Sequence, residues 1–199
     1  MVKTRFDFLK LHMKGPRILD VGNLGDDEYD EGKTHRMIQS AFSNFTIIGL
    51  DMNEEKAKKL SFPNQVVGSA EAMPFPSDFF DTIYMGEILE HTFEPQKMIK
   101  EARRTLKNGG ILILDTPNPY ALSRIFRFLV KKMDTLGHSD HKVFYTPCSL
   151  KNILEENEFH IEAMVTDSTF GVKGRTFFLP RIPFCEMLGG HICVKAIKL

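Results

Sequence analysis

From Arg17 onward, short apolar runs alternate with helical patterns in this 199-residue chain. That rhythm constrains the fold more than any other feature, because it builds a parallel sheet with crossover helices. Arg17-Ile18-Leu19-Asp20-Val21 reads as a buried strand ended by Gly22, and Thr34 is the expected cap of a helix through Met37, Ile38 and Phe42. Thr46 to Asp51 is the second strand, Asn53 caps the next helix, Gln65-Val66-Val67 is the third strand and Phe80 to Tyr84 the fourth. A helix from Glu94 or Pro95 to Leu106 presents Met98, Ile99, Ala102 and Leu106 on one face; Asn108-Gly109-Gly110 is expected to end it before a fifth strand, Ile111 to Leu114. Thr116-Pro117-Asn118-Pro119 then breaks the pattern, so 117–147 reads as an insertion. Thr146-Pro147-Cys148-Ser149 starts another helix, and Phe159 to Val165 and His191 to Ile197 are further strands. The fold class is α/β, doubly wound and mostly parallel, in a single domain over 1–199.

Composition narrows the partners. Hydrophobic residues at 42% and charged residues at 26% suit an ordinary globular core. With 26 basic and 26 acidic residues there is no global field to favour nucleic acid, and no nucleic-acid partner is expected. Met1 to Leu11 lacks the apolar core of a signal peptide, and no stretch reaches the roughly 20 apolar residues of a membrane span, so a cytoplasmic protein is expected. Cys148, Cys185 and Cys193 lack metal or disulfide spacing and read as free thiols. Oligomeric state has no signature in the sequence.

In open α/β sheets a ligand lies beyond the carboxyl ends of the strands. Gly22-Asn23-Leu24-Gly25 follows the first strand, Asp51 ends the second, Ser69-Ala70-Glu71 follows the third and Gly86-Glu87 the fourth. Glycine lets backbone approach a ligand, and a carboxylate at the second strand accepts both hydroxyls of a ribose. The set reads adenosine. A dinucleotide is disfavoured: the Gly-x-Gly-x-x-Gly turn is absent, and Asp26, Asp27, Glu28, Asp30 and Glu31 stand where a pyrophosphate would sit. A cationic sulfonium suits those acids better.

These residues resemble the class I S-adenosylmethionine-dependent methyltransferases, particularly the small single-domain kind of the type 11 group. The resemblance rests on Ile18-Leu19-Asp20-Val21-Gly22, Ile48-Gly49-Leu50-Asp51, Ala70-Glu71-Ala72-Met73-Pro74-Phe75, Phe79-Phe80-Asp81-Thr82-Ile83, Ile88-Leu89-Glu90-His91 and Leu106-Lys107-Asn108-Gly109-Gly110, in family order. It implies a Rossmann-like sheet of seven strands with an antiparallel last strand, and S-adenosyl-L-methionine as cofactor. It further implies that Asp20 and Gly22 surround the methionine part, Asp51 holds the ribose, Ala70 and Glu71 border the adenine, and Gly86 and Glu87 floor the pocket. Asn23, Gly25, Met52 and Ser69 complete that shell. Leu24 stands at the family's second glycine and Ser69 where an acid is common, both departures from the pattern.

Methyl transfer from a sulfonium needs alignment and exclusion of water, and a hydroxyl or protonated amine acceptor also needs a base. His91, after the fourth strand, is the first candidate, with His138 and His141 next and Glu87 or Asp140 as carboxylate alternatives. The stretch around Phe144, Tyr145, Thr146, Pro147, Ser149 and Leu150 resembles methyltransferases of glycans and small metabolites, so the acceptor expected is a small molecule or glycan, methylated at oxygen. His138 and His141 offer a His-x-x-His pair, yet no further ligand has recognisable spacing, and no metal is expected. Residues 1–14 and the basic amphipathic helix 121–133 read as lids over the cleft. Peripheral contact of 121–133 with an anionic membrane is the other reading of that helix. A non-catalytic relative that binds a nucleoside ligand or a protein partner is the competing function.

Overall fold

A computed structural model describes residues 2–25, 31–131, 140–172, 175–178 and 187–199. Asp26, Asp27, Glu28 and Asp30 of the acidic loop, Lys132, Met133, His138, the segment 179–184 and Cys185 lie outside the described residues. Nine strands and six helices follow in the order α1 (Arg5–His12), β1 (Arg17–Val21), α2 (Lys33–Ala41), β2 (Thr46–Asp51), α3 (Glu54–Leu60), β3 (Gln65–Val67), β4 (Phe80–Gly86), α4 (Pro95–Thr105), β5 (Leu106–Pro117), α5 (Leu122–Lys131), α6 (Pro147–Glu156), β6 (Phe159–Thr166), β7 (Thr169–Val172), β8 (Arg175–Phe178) and β9 (His191–Lys198) among the described residues. Seven strands form one sheet in the order β3-β2-β1-β4-β5-β9-β6, and β7 pairs with β8 in a separate antiparallel hairpin. β9 alone runs opposite to the other six strands of that sheet, as the resemblance implies.

The apolar runs are continuous because the sheet is buried on both faces. Successive residues point to opposite sides, so Leu19, Ile83, Leu112 and Leu114 pack with α4 and α6, whereas Ile18, Tyr84, Ile111 and Ile113 pack with α1 and α2. Phe8, Leu9 and Met13 carry α1 into the second core.

Two local expectations are corrected. The second helix is capped by Gly32, in the left-handed region at φ 69°, and begins at Lys33, before Thr34. Asn108-Gly109-Gly110 does not terminate α4, whose cap is the extended Leu106; these residues form an irregularity inside β5, where the partner of Phe80 is Leu106 and the partner of Thr82 is Ile111. Gly109, at φ 72°, takes the left-handed turn that this offset requires.

Candidate active site

Strand order reverses between β1 and β4, and the carboxyl ends of β1 to β5 converge there, as expected for a ligand site in an open α/β sheet. Gly22 leaves β1 at φ 73° and donates its N–H to Leu50 O at 2.8 Å; a Cβ on it would meet Ile88 Cδ1 at 3.1 Å. Gly25 N–H closes the turn on Gly22 O at 3.3 Å, and Lys56 Nζ donates to the Gly25 carbonyl. Asp51 Oδ1 accepts from Asn53 N–H at 2.9 Å and Oδ2 from Leu24 N–H at 3.3 Å. An ionised carboxylate has about four acceptor positions, so the bonds to Asn53 and Leu24 leave room for a ribose diol. Met52 beside it is exposed.

Two predicted cofactor residues face inward. Asn23 is buried and exchanges amide hydrogen bonds with Gln65 at 2.7 and 3.1 Å, tying the turn to β3. Asp20 is buried against His35 of α2, with Oδ2 to Nδ1 at 2.8 Å. After β3, Glu71 N–H donates to Ser69 Oγ at 3.1 Å and Thr92 Oγ1 donates to Glu71 Oε1 at 2.8 Å, while Ala70 is buried between them. This shelf is held from below by Glu101, which accepts from Met73 N–H, and by Arg104, which donates to the carbonyls of Met73 and Phe75.

A charged cluster fills the ends of β4, β5 and β9. Glu87 stands at φ 47°, a conformation that side chains other than glycine rarely adopt, with its N–H on Asp115 O at 2.9 Å. Arg5 of α1 donates to its carboxylate and lies 3.4 Å from Asp115 Oδ1. Tyr84 Oη donates to Asp115 Oδ2 at 2.7 Å, and a Cβ on Gly86 would fall 2.1 Å from that hydroxyl, so any side chain here must displace the buried Tyr84 ring. His191 spans Asp167 Oδ2 at 3.0 Å and Glu87 Oε1 at 3.1 Å. Burial alone would lower the His191 imidazole, but bonds to the Asp167 and Glu87 carboxylates push it up to about 10. Burial works against ionised Glu87 as well; the His191 bond and Arg5 overcome it and hold the carboxyl far below the usual range.

Three residues further on, the environment inverts. Glu90 is fully buried, takes one bond from Thr116 Oγ1 at 3.2 Å, and its Oε1 has no hydrogen-bond partner. Burial pushes it up to about 8. His91 ends the 3-10 turn Leu89–His91, with Nδ1 2.9 Å from Asp140 Oδ2 and its ring edge-to-face with His141, centroids 4.8 Å apart. The structure thus brings together His91, His141 and Asp140 from segments some fifty residues apart in sequence, a meeting that spacing does not reveal.

The insertion is anchored by buried Asn118, whose side chain donates to Met187 O and Gly189 O and whose N–H reaches Gly190 O. Arg124 of α5 lies over the Phe144 ring at 4.9 Å. The rest of α5 is less covered than an amphipathic pattern suggests: Phe126 is 59% exposed and Leu129 68%, with Phe128 and Val130 similar.

Residues 31–114 match the family described as a methyltransferase domain. The chain is 34% identical over 125 residues to the chloroplastic 2-methyl-6-phytyl-1,4-hydroquinone methyltransferase 1 of Oryza sativa subsp. japonica, covering 59% of this chain and 36% of that one. It is 27% identical over 151 residues to the ubiquinone biosynthesis O-methyltransferase of Dinoroseobacter shibae, covering 72% and 59%. The chain therefore spans between a third and three-fifths of the length of these relatives. A crystal structure of an S-adenosylmethionine-dependent methyltransferase from Archaeoglobus fulgidus superposes with a TM-score of 0.72 at 20% identity, covering 98% of this chain and 92% of that one. Strand order and superposition give the chain the fold of the class I S-adenosylmethionine-dependent methyltransferases, and residues 31–114 carry the methyltransferase-domain match within it.

Proposed function

We propose that the protein transfers the methyl group of S-adenosylmethionine to a hydroxyl of a small acceptor of the quinone-related kind named for its relatives, with a glycan hydroxyl as the second acceptor class to assay. The observation that carries the reading is the meeting of Glu90, His91, Asp140 and His141 beside the cofactor-side Glu87, because a hydroxyl acceptor has a proton to lose and a base must stand within reach. Bound S-adenosylmethionine supplies an electrophilic methyl on a sulfonium. Asp51 holds the ribose, Ala70 and Glu71 border the adenine, Gly22 and Gly25 let backbone close on the methionine part, and Gly86 with Glu87 floors the pocket. Asp20 and Asn23 act from beneath by fixing the turn. Asp140 fixes the His91 ring, and the histidine pair handles the acceptor proton.

The described parts of the two expected lids, 2–14 and 117–131 with 140–147, border the site and close it, supported by Arg5 reaching Glu87 and by Asn118 pinning the entry to α5. The exposed apolar side chains of α5, with Arg124 and Arg127 and no acid in its sequence, fit the surface of an anionic membrane from which a prenylated acceptor would enter. Single-turnover transfer to hydroquinone acceptors tests the activity. His91→Ala should lower the rate about 10²–10⁴-fold with cofactor affinity unchanged. Wild-type rates in both His91→Ala and His141→Ala would remove the histidines from the reaction. Calorimetric binding of S-adenosylmethionine without transfer to any hydroxyl or amine would favour the non-catalytic alternative.

A further inference from the structure

We propose that Glu90, His91 and His141 form a binding site for one divalent transition-metal cation. One ligand atom from each lies within 4.8 Å of the others, close enough for small side-chain rotations to bring all three onto one ion. The three come from two separate segments, the turn after β4 and the stretch leading to α6, so no local motif explains their meeting. Glu90 Oε1 is the second and independent observation: the side chain is fully buried, and this oxygen has no donor. A buried carboxylate oxygen without a partner is costly, and a cation would satisfy it.

The surroundings have the form of an outer shell. Asp140 occupies Nδ1 of His91 and leaves Nε2 as the nitrogen for a metal bond, while Thr116 Oγ1 occupies the other oxygen of Glu90. Metal-binding histidines are commonly oriented by a carboxylate on the opposite ring nitrogen in this way. Two imidazoles and one carboxylate favour Zn²⁺, Fe²⁺, Co²⁺ or Mn²⁺ over Ca²⁺, which prefers oxygen cages. Three protein ligands leave positions open for exogenous oxygen ligands, the arrangement of a catalytic site. This deepens the proposed O-methylation and rests on it for its purpose, though not for the binding itself. An acceptor hydroxyl taken up as a further ligand is acidified by the cation and releases its proton to solvent, so in the metal-bound protein His91 and His141 hold the ion and do not take the proton themselves.

The full chain, stripped with a chelator and dialysed, is titrated with Co²⁺ and followed by its visible d–d absorption. One equivalent should bind, be displaced by Zn²⁺, and bind at least tenfold more weakly in Glu90→Gln and in His141→Ala. Asp140→Asn should give a smaller loss that shows in affinity and band position together. Melting curves establish that each variant is folded, and His141→Asn, at a half-buried position, replaces any variant that is not. No stoichiometric binding, or binding unchanged in all of these variants, overturns the site. Methyl transfer at full rate in chelator with no bound Co²⁺ overturns the cation's part in the reaction and leaves the methyltransferase reading intact. Ligand-dependent Co²⁺ binding without transfer to any hydroxyl sustains the site and removes the acceptor reading.

Discussion

The ends of β1 to β3 and the ends of β4, β5 and β9 border one cleft, yet they are organised differently. On the first side, backbone groups and an uncharged amide pair do much of the positioning: Asp51 binds the amides of Asn53 and Leu24, and Asn23 exchanges side-chain bonds with Gln65. On the second side, the bonds join residues as far apart as Arg5 and Asp115, or Glu87 and His191, and most of the groups are charged. On the proposed reading the nucleoside meets the first side, where backbone groups of the Gly22–Gly25 turn and Asp51 are already fixed by the strands. The acceptor side is met by side chains brought from wherever the fold supplies them.

Four measurements test this contrast. Asp51→Ala removes two charge-assisted hydrogen bonds to the ribose, each worth about 1.5–3 kcal/mol, so S-adenosylmethionine affinity in calorimetry should fall by roughly 10²–10⁴-fold, with Asp51→Asn intermediate. Unchanged affinity would move the nucleoside away from β2.

Arg5→Met strips the cation from buried Asp115 and half-exposed Glu87, leaving Asp115 only the Tyr84 hydroxyl and Glu87 only His191 among the described residues. Denaturant unfolding should show a loss of about 3–5 kcal/mol. A loss below about 1 kcal/mol would mean the cluster is solvated.

His191 sets a pH dependence. Its imidazole titrates near 6.5 unfolded and is pushed up to about 10 in the fold, so its contribution is complete below about pH 6.5 and fades as pH rises toward 10. Melting temperature should decline across that interval, by an amount equivalent to about 2–4 kcal/mol, and His191→Gln should flatten the decline. Glu87 acts at the other end: held low in the fold, it adds stability above the ordinary carboxylate range that is lost on acidification.

Smallest in stability is the α5 change. Phe126→Ser with Leu129→Ser alters exposed positions and should shift unfolding by no more than about 0.5 kcal/mol. The same variant should lose co-sedimentation with phosphatidylglycerol vesicles, and retention would argue that α5 faces protein or solvent.

Legibility in the sequence follows the same division. β1, β2 and β3 run where the apolar runs and their flanking turn residues put them, because their limits are local; β1 and β2 are buried by packing, while β3 is a half-exposed edge strand. Asn53 and Thr146 cap their helices as read, through side-chain bonds to amides three residues on. Gly109 misleads as a helix stop because a left-handed glycine serves an irregular strand start as well as a helix end. Arg5, Asp167 and His191 give no warning: an arginine in an amphipathic helix and a histidine opening a strand are ordinary until the fold stacks them on Glu87. Glu90 sits inside a recognisable segment, but its burial depends on Thr116 and on the return of residues 140–142, whose Lys142 N–H binds its carbonyl at 2.7 Å.

The placement of β9 governs the order in which the molecule assembles. This strand, latest in sequence, lies inside the sheet between β5 and β6, so β6 has no sheet partner until β9 has arrived. Ser168 then binds the carbonyls of Val2 and Lys3, which ties the first residues to the same late event. Until then β5 presents an open apolar edge, the kind of surface on which nascent chains associate. A chain interrupted before His191 would keep the whole Gly22–Gly25 turn and yet be the species most prone to aggregate.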